Sequence, residues 1–224
     1  MLSEIKQVLT PEEIARVKQL ASAAAWVDGS NSAGERARDH KSNREIDRND
    51  PNWKSINEIV VAALYQHPQF QSDCLPARVS ACFISRFEPG MAFGSHIDDP
   101  VMGPPGQQYR SDIAITIYLS APEDYAGGEL VVQTHFGEQS VKLAAGNAVA
   151  YPASSLHRVN TVSQGERLVC VLWVQSFVKD PSQRELLAEL ANAREALLRS
   201  LPAAQVTTSV DRVYNNLVRM WTDV

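Results

Sequence analysis

Val79-Ser-Ala-Cys-Phe83-Ile-Ser-Arg-Phe87-Glu-Pro-Gly90-Met-Ala-Phe-Gly-Ser-His96-Ile97-Asp98 is the stretch that decides how this chain is read. Val79, Ala81 and Phe83 alternate with Ser80, Cys82 and Ile84, the period-two pattern of a strand. Glu88-Pro89-Gly90 has the residue types of a tight turn, and a second extended segment follows it. Side chains two apart in an extended segment share a face, so His96 and Asp98 can meet one small object. An imidazole and a carboxylate suit a metal ion. With one more imidazole they make the two-His-one-carboxylate face that holds ferrous iron and leaves coordination positions open.

Outward from this stretch the strand pattern persists. Ser111 to Ser120, Glu129 to Thr134, Glu138 to Leu143, Ala148 to Tyr151, His157 to Val162 and Arg167 to Phe177 read as strands. Val101 to Gln108 and Pro122 to Gly128 read as loops, and Ser163-Gln-Gly165-Glu as a turn-like link. About eight short strands without helical crossovers predict a sandwich or jelly roll over residues 77–178.

Helices flank this core. Thr10-Pro11-Glu12-Glu13 has the form of a capping box with proline at the first helical position. Ile14, Val17, Leu20 and Ala21 then give that helix a face to pack on the sheet. A second helix is expected from Asn52 to Gln66. A third should run from Asp180-Pro181 to about Ser200, and a fourth from Ser209 to Trp221. The two-part division is 1–178 and a helical segment 179–224, which buttresses the barrel or makes a dimer contact. Residues 28–51 are polar. Lys41 and Arg44 read there as a solvated face, with a flap over the metal pocket as the alternative.

Composition narrows the function. The 224 residues carry a formal net charge of -5, which offers no general attraction for nucleic-acid phosphates. The start of the chain lacks the pattern of a secretory signal, no stretch is apolar enough to span a bilayer, and the expected address is cytoplasmic. Cys74, Cys82 and Cys170 lack metal-binding spacing, and Cys82 and Cys170, inside apolar strand-like runs, read as buried small hydrophobes. His40, His67 and His135 have no partner at useful spacing, and Asp99 and Arg158 alternate away from their neighbours Asp98 and His157.

The third ligand is expected at His157, which follows a turn and opens a strand. Arg167 starts the apolar run Leu168 to Val174. A guanidinium in such a place needs a partner, and a carboxylate matches its planar fork. Three protein ligands leave room for a bidentate 2-oxo acid and dioxygen, with the acid's distal carboxylate on Arg167 and the Tyr118 hydroxyl beside it. Trp173 shares the face of Arg167 and reads as core, with pocket lining as the alternative.

Phe87-Glu-Pro-Gly90…His96-Ile-Asp98, Tyr118-Leu-Ser, Gly127-Gly-Glu-Leu130, Tyr151-Pro, Leu156-His157-Arg-Val and Gly165-Glu-Arg167 together resemble the iron(II)- and 2-oxoglutarate-dependent dioxygenases of prolyl/lysyl hydroxylase type. More narrowly they resemble the bacterial PKHD-type hydroxylases, whose C-terminal helix Ser209 to Trp221 is similar to. The resemblance implies a mainly β fold with flanking helices around a double-stranded β-helix. It implies Fe(II) on His96, Asp98 and His157, with 2-oxoglutarate on Arg167 and, less directly, Tyr118. Hydroxylation of a protein side chain, peptide or small molecule, with release of succinate and CO2, is the implied reaction, with ascorbate as an accessory reductant. Asp98 argues against the related halogenases, which lack this carboxylate. Trp173 stands where related nucleic-acid dealkylases carry a second arginine. The alternative is a non-catalytic jelly roll that senses iron or 2-oxoglutarate.

Overall fold

A computed structural model of the chain describes residues 2–32, 34 and 37–223; residues 33, 35 and 36 of the 28–51 segment lie outside it. In chain order the elements are β1 (Ser3–Ile5), α1 (Pro11–Ser22), β2 (Trp26–Asp28), β3 (Lys41–Ser42), β4 (Arg44–Ile46), α2 (Pro51–Gln66) and α3 (Pro68–Cys74). They continue with β5 (Pro76–Val79), β6 (Phe83–Phe87), β7 (Ala92–His96), β8 (Val101–Met102), β9 (Tyr109–Arg110), β10 (Ile113–Tyr118) and β11 (Tyr125–Gly127). Last come β12 (Leu130–Thr134), β13 (Gly137–Val141), β14 (Ala148–Pro152), β15 (His157–Val159), β16 (Val162–Gly165), β17 (Arg167–Ser176), α4 (Pro181–Ser200) and α5 (Gln205–Trp221).

Two antiparallel sheets face each other. The larger runs β1-β14-β10-β17-β6-β4-β2, with β5 added to the far end of β17; the smaller runs β13-β12-β15-β7-β3. Strand alternation divides the larger sheet's side chains between two cores. Ile113, Ile115, Ile117, Leu168, Cys170 and Leu172 point outward and are sealed by Val17, Leu20, Ile56, Val60 and Leu64 of α1 and α2. Ala114, Tyr118, Val149, Tyr151 and Val169 point inward and pack with Leu130, Val132, Val141 and Val159 of the smaller sheet. The expected jelly roll with flanking helices is therefore present. The three cysteines are buried free thiols.

The helix signals read from sequence hold. Thr10 and Glu13 form the reciprocal capping box, with Glu13 N–H to Thr10 Oγ1 at 3.2 Å and Thr10 N–H to Glu13 Oε2 at 2.8 Å. Asp180 caps α4 as expected, and Asp50, not singled out in the sequence, caps α2, which starts at Pro51. The unexpected elements are short. The helix α3 follows α2 after a break at His67, whose imidazole caps it ahead of Pro68. The strands β8 and β9 form a two-residue ladder across the 101–110 loop, and β11 pairs with β16 where loop and turn were expected. Such ladders hold too few residues to show a period. Gly165 makes the β11–β16 approach possible: its φ is +71°, and a Cβ there would lie 2.0 Å from Asp124 O. α5 begins four residues before the expected Ser209.

The 28–51 segment joins the two sheets at the open mouth. β4 pairs with β6 of the larger sheet, while β3 pairs with β7 of the smaller one, with Lys41 opposite Phe93. Arg44 is exposed, as a solvated face requires, but the Lys41 side chain is 8% exposed and bonds Glu45 at 2.6 Å. The flap alternative holds for Lys41. A charge alternation in sequence does not show that a chain crosses a cavity.

Candidate active site

The metal-ligand candidates come together. His157 on β15 is the cross-strand partner of His96 at the end of β7, and Asp98 follows immediately on the same chain. The potential ligand atoms of all three lie within 4.8 Å of one another. His96 Nε2 is 3.8 Å and His157 Nε2 3.7 Å from Asp98 Oδ1, spacings that one cation can bridge.

Each ligand candidate is held by a partner behind it. His96 Nδ1 is 2.8 Å from Gly94 O and His157 Nδ1 3.0 Å from Ser155 O. A carbonyl only accepts, so each Nδ1 carries the proton and each Nε2 presents a lone pair inward. Trp173 Nε1–H donates to Asp98 Oδ2 at 2.9 Å, which leaves Oδ1 for the centre. Phe93 stacks on His96 at 3.7 Å between ring centroids. Burial, followed by the field of His157, lowers His96 to about 4, so its imidazole is neutral at physiological pH. Burial likewise raises Asp98 above the usual carboxylate range, with His157 and the Trp173 hydrogen bond acting against it.

A pocket of about 1120 Å³ contains this cluster and Arg167 together. Arg167 is 1% exposed, and its Nε has no hydrogen-bond partner. Its guanidinium lies 5.1 Å from the Phe87 ring and 5.6 Å from the Tyr118 ring. Gly128 makes room for it, since a Cβ there would come within 3.1 Å of Arg167 Cδ, at a φ of +68°. A buried cation in aromatic surroundings with an unused donor is a cradle for an anion. That fits a dicarboxylate co-substrate as the His-Asp-His set fits ferrous iron.

Tyr118 is brought beside Arg167, but its hydroxyl donates to Val141 O at 3.0 Å. The Tyr125 hydroxyl, by contrast, is buried without a partner. Burial pushes Tyr118 up to about 12, and both phenols keep their protons at neutral pH. Sequence reasoning missed Tyr125 because it lay in a presumed loop; the neighbouring Gly127-Gly128 pair was the available signal. Trp173 packs against the inner core and also lines the pocket, where its indole N–H holds Asp98. Asn43, 4% exposed on the flap, also lines the pocket, and neither of its amide atoms has a partner. Asp99 is exposed and stands apart from the ligand cluster, and Arg158 pairs with Glu138 at the surface.

This jelly roll with a His-Asp-His cluster defines an iron- and 2-oxo-acid-dependent oxygenase, and the family model of the 2OG-Fe(II) oxygenase superfamily matches residues 82–175. A PKHD-type hydroxylase of Thioalkalivibrio sulfidiphilus is 48% identical over the whole of both chains. The chain belongs to the PKHD-type hydroxylases. Its fold is shared with a 2OG-Fe(II) oxygenase-family oxidoreductase from Burkholderia pseudomallei, at TM-score 0.56 and 20% identity, covering 77% of this chain and 84% of that one. A Pseudomonas putida prolyl-4-hydroxylase matches at TM-score 0.51 and 17% identity over 78% and 92% of the two chains. The protein is accordingly a 2-oxoglutarate-dependent hydroxylase of a family that uses Fe(II), 2-oxoglutarate and O2.

Proposed function

We propose that His96, Asp98 and His157 hold Fe(II) and that Arg167 receives the distal carboxylate of 2-oxoglutarate. The observation that carries this is the buried, incompletely bonded guanidinium of Arg167 in the same pocket as three convergent ligand atoms. Bound together, iron and co-substrate supply O2 activation coupled to oxidative decarboxylation of 2-oxoglutarate to succinate and CO2, which drives hydroxylation of the primary substrate.

The chain's part is to position and exclude. The backbone carbonyls of Gly94 and Ser155 fix both imidazoles, and Trp173 fixes the carboxylate. Tyr118 packs its ring against the guanidinium, and its hydroxyl can turn from Val141 O to donate to the distal carboxylate. Tyr125 supplies the hydroxyl hydrogen that the distal carboxylate can accept. The flap 28–51 and the 101–108 loop form the remaining walls and take the substrate, a protein side chain, a peptide or a small molecule. Titration calorimetry tests the assignment. 2-Oxoglutarate should bind the metal-loaded protein, weaken by at least about a hundredfold in Arg167→Ala and less in Tyr125→Phe. Equal binding to the wild type and Arg167→Ala would refute it.

The remaining parts of the account are proposals of the same kind. Residues 1–178 form the oxygenase unit and 179–224 a helical buttress, supported by buried Arg184 of α4, which donates to Val178 O and Lys179 O. Val206, Val213 and Met220, exposed at seven-residue intervals on α5, support a homodimer contact. A cytoplasmic site of action accords with the absence, among the described residues, of any helix long and apolar enough to cross a membrane. Nucleic acid is not an expected partner of so acidic a chain, and ascorbate would serve only to restore reduced iron.

A further inference from the structure

We infer that the primary substrate carries an acidic group, held at the pocket mouth by Arg48 and Arg78. This rests on the active-site reading above and names the substrate class that the site admits.

Both guanidiniums line the pocket and sit over aromatic rings. Arg48 is 5.0 Å from the ring centroids of Trp53 and Phe83, and Arg78 is 4.9 Å from that of Tyr109. A guanidinium attracted to a ring face is held in place while N–H donors stay available to bind. Those donors are little used. Among the described residues neither arginine has an acidic partner within ion-pair distance; Arg48 has no hydrogen bond, and Arg78 donates once, to Gln108 O at 3.2 Å.

Two nearby cations are already paired: Lys41 with Glu45 at 2.6 Å, and Arg110, next in the chain to Tyr109, with Asp112 at 2.7 Å. Of the pocket's other acids, Asp98 belongs to the metal-ligand cluster, and the exposed Asp99 carboxylate makes no ion pair with Arg48 or Arg78. Arg48 and Arg78 act on a common neighbour: both guanidinium fields favour ionisation of Tyr109 against the burial that raises it. Two cations on one wall, without an acidic partner among the described residues, mark a place where an anion can bind.

The wall also leads to the chemistry. Phe83, under Arg48, meets Trp173 edge-on at 5.6 Å, and the Trp173 N–H holds Asp98. A substrate anchored by its acid at Arg48 and Arg78 lies across Phe83 and Trp173 with its other end toward the metal ligands. Arg167 is separately committed to the co-substrate, so the two acids do not compete for one cation.

The test uses the full chain, loaded with Zn(II) so that nothing turns over, with and without saturating 2-oxoglutarate. The probes are N-acetyl amides of glutamate, phosphoserine, glutamine and lysine, titrated calorimetrically. The glutamate or the phosphoserine probe should bind about tenfold or more tightly than glutamine, and lysine least. Which acid binds better separates a carboxylate from a phosphate substrate. Arg48→Ala and Arg78→Ala should each remove most of that preference, and the lysine replacements should restore part of it. Equal binding of glutamate and glutamine, a preference that survives in the double alanine variant, or no binding of either acid would overturn the inference. Binding of 2-oxoglutarate, recorded in the same series and dependent on Arg167, reports on the active-site reading separately.

Discussion

Trp173→Phe isolates one hydrogen bond in the metal site. In the native chain Trp173 Nε1–H donates to Asp98 Oδ2 at 2.9 Å, and the Asp98 side chain is only 7% exposed. Phenylalanine keeps an aromatic ring facing Phe83 but removes the donor. A hydrogen bond to a charged group contributes about 1.5–3 kcal/mol. At about 1.4 kcal/mol per factor of ten, its loss should weaken divalent-metal binding roughly ten- to hundredfold. The pH dependence should move as well. Burial already raises Asp98, and the lost donor raises it further, so protons compete with the metal to a higher pH. Titration with Mn(II) followed by electron paramagnetic resonance, at several pH values, measures both effects. If Trp173→Phe binds metal with native affinity and pH dependence while Asp98→Ala does not bind, Trp173 does not position the carboxylate and the argument fails.

Gly128→Ala should raise the KM for 2-oxoglutarate with a smaller effect on metal affinity, because the added Cβ presses on Arg167 Cδ from a backbone with φ of +68°. Steady-state kinetics beside metal titration would show the split. Lys41→Met leaves Glu45 buried without its cation and should cost about 3–5 kcal/mol by urea denaturation. Lys41→Met/Glu45→Leu should recover most of that loss. His96 sets a pH effect on the metal-free chain. Its folded value is about 4 against 6.5 unfolded, so the unfolded state takes up the proton first, and stability is lost as pH falls from about 6.5 toward 4. Raised Asp98 opposes this at the acid end, because there the folded state binds the extra proton. Thermal melts of His96→Gln should be flatter across that window, and parallel profiles would refute the assignment.

The sequence carried what depends on short-range pattern. Alternation placed the strands of the two sheets, and Thr10 and Asp180 marked helix starts that the structure repeats. The His96, Asp98 and His157 grouping could be anticipated because two of its members sit on one extended segment and the third opens another. What escaped depends on tertiary placement. Tyr125 looked like loop because β11 has a partner only after β16 folds back onto it. The bond from Trp173 to Asp98 escaped because the apolar run around Trp173 says nothing of a carboxylate that reaches it from the opposite sheet. Lys41 and Asn43 belong to a polar segment whose burial arises from β3 and β4 joining different sheets. Arg48 and Arg78 had no motif at all, and they acquire meaning from the rings beneath them and the acids they lack.

Turnover without the primary substrate tests the central claim most directly. Protein reconstituted anaerobically with Fe(II) and then exposed to O2 and 2-oxoglutarate should release succinate slowly. That release should vanish in His96→Ala and fall steeply in Arg167→Ala, with both variants folded by circular dichroism. Succinate formed equally by His96→Ala, or none formed by native protein shown to bind neither iron nor 2-oxoglutarate, would contradict the assignment of the site.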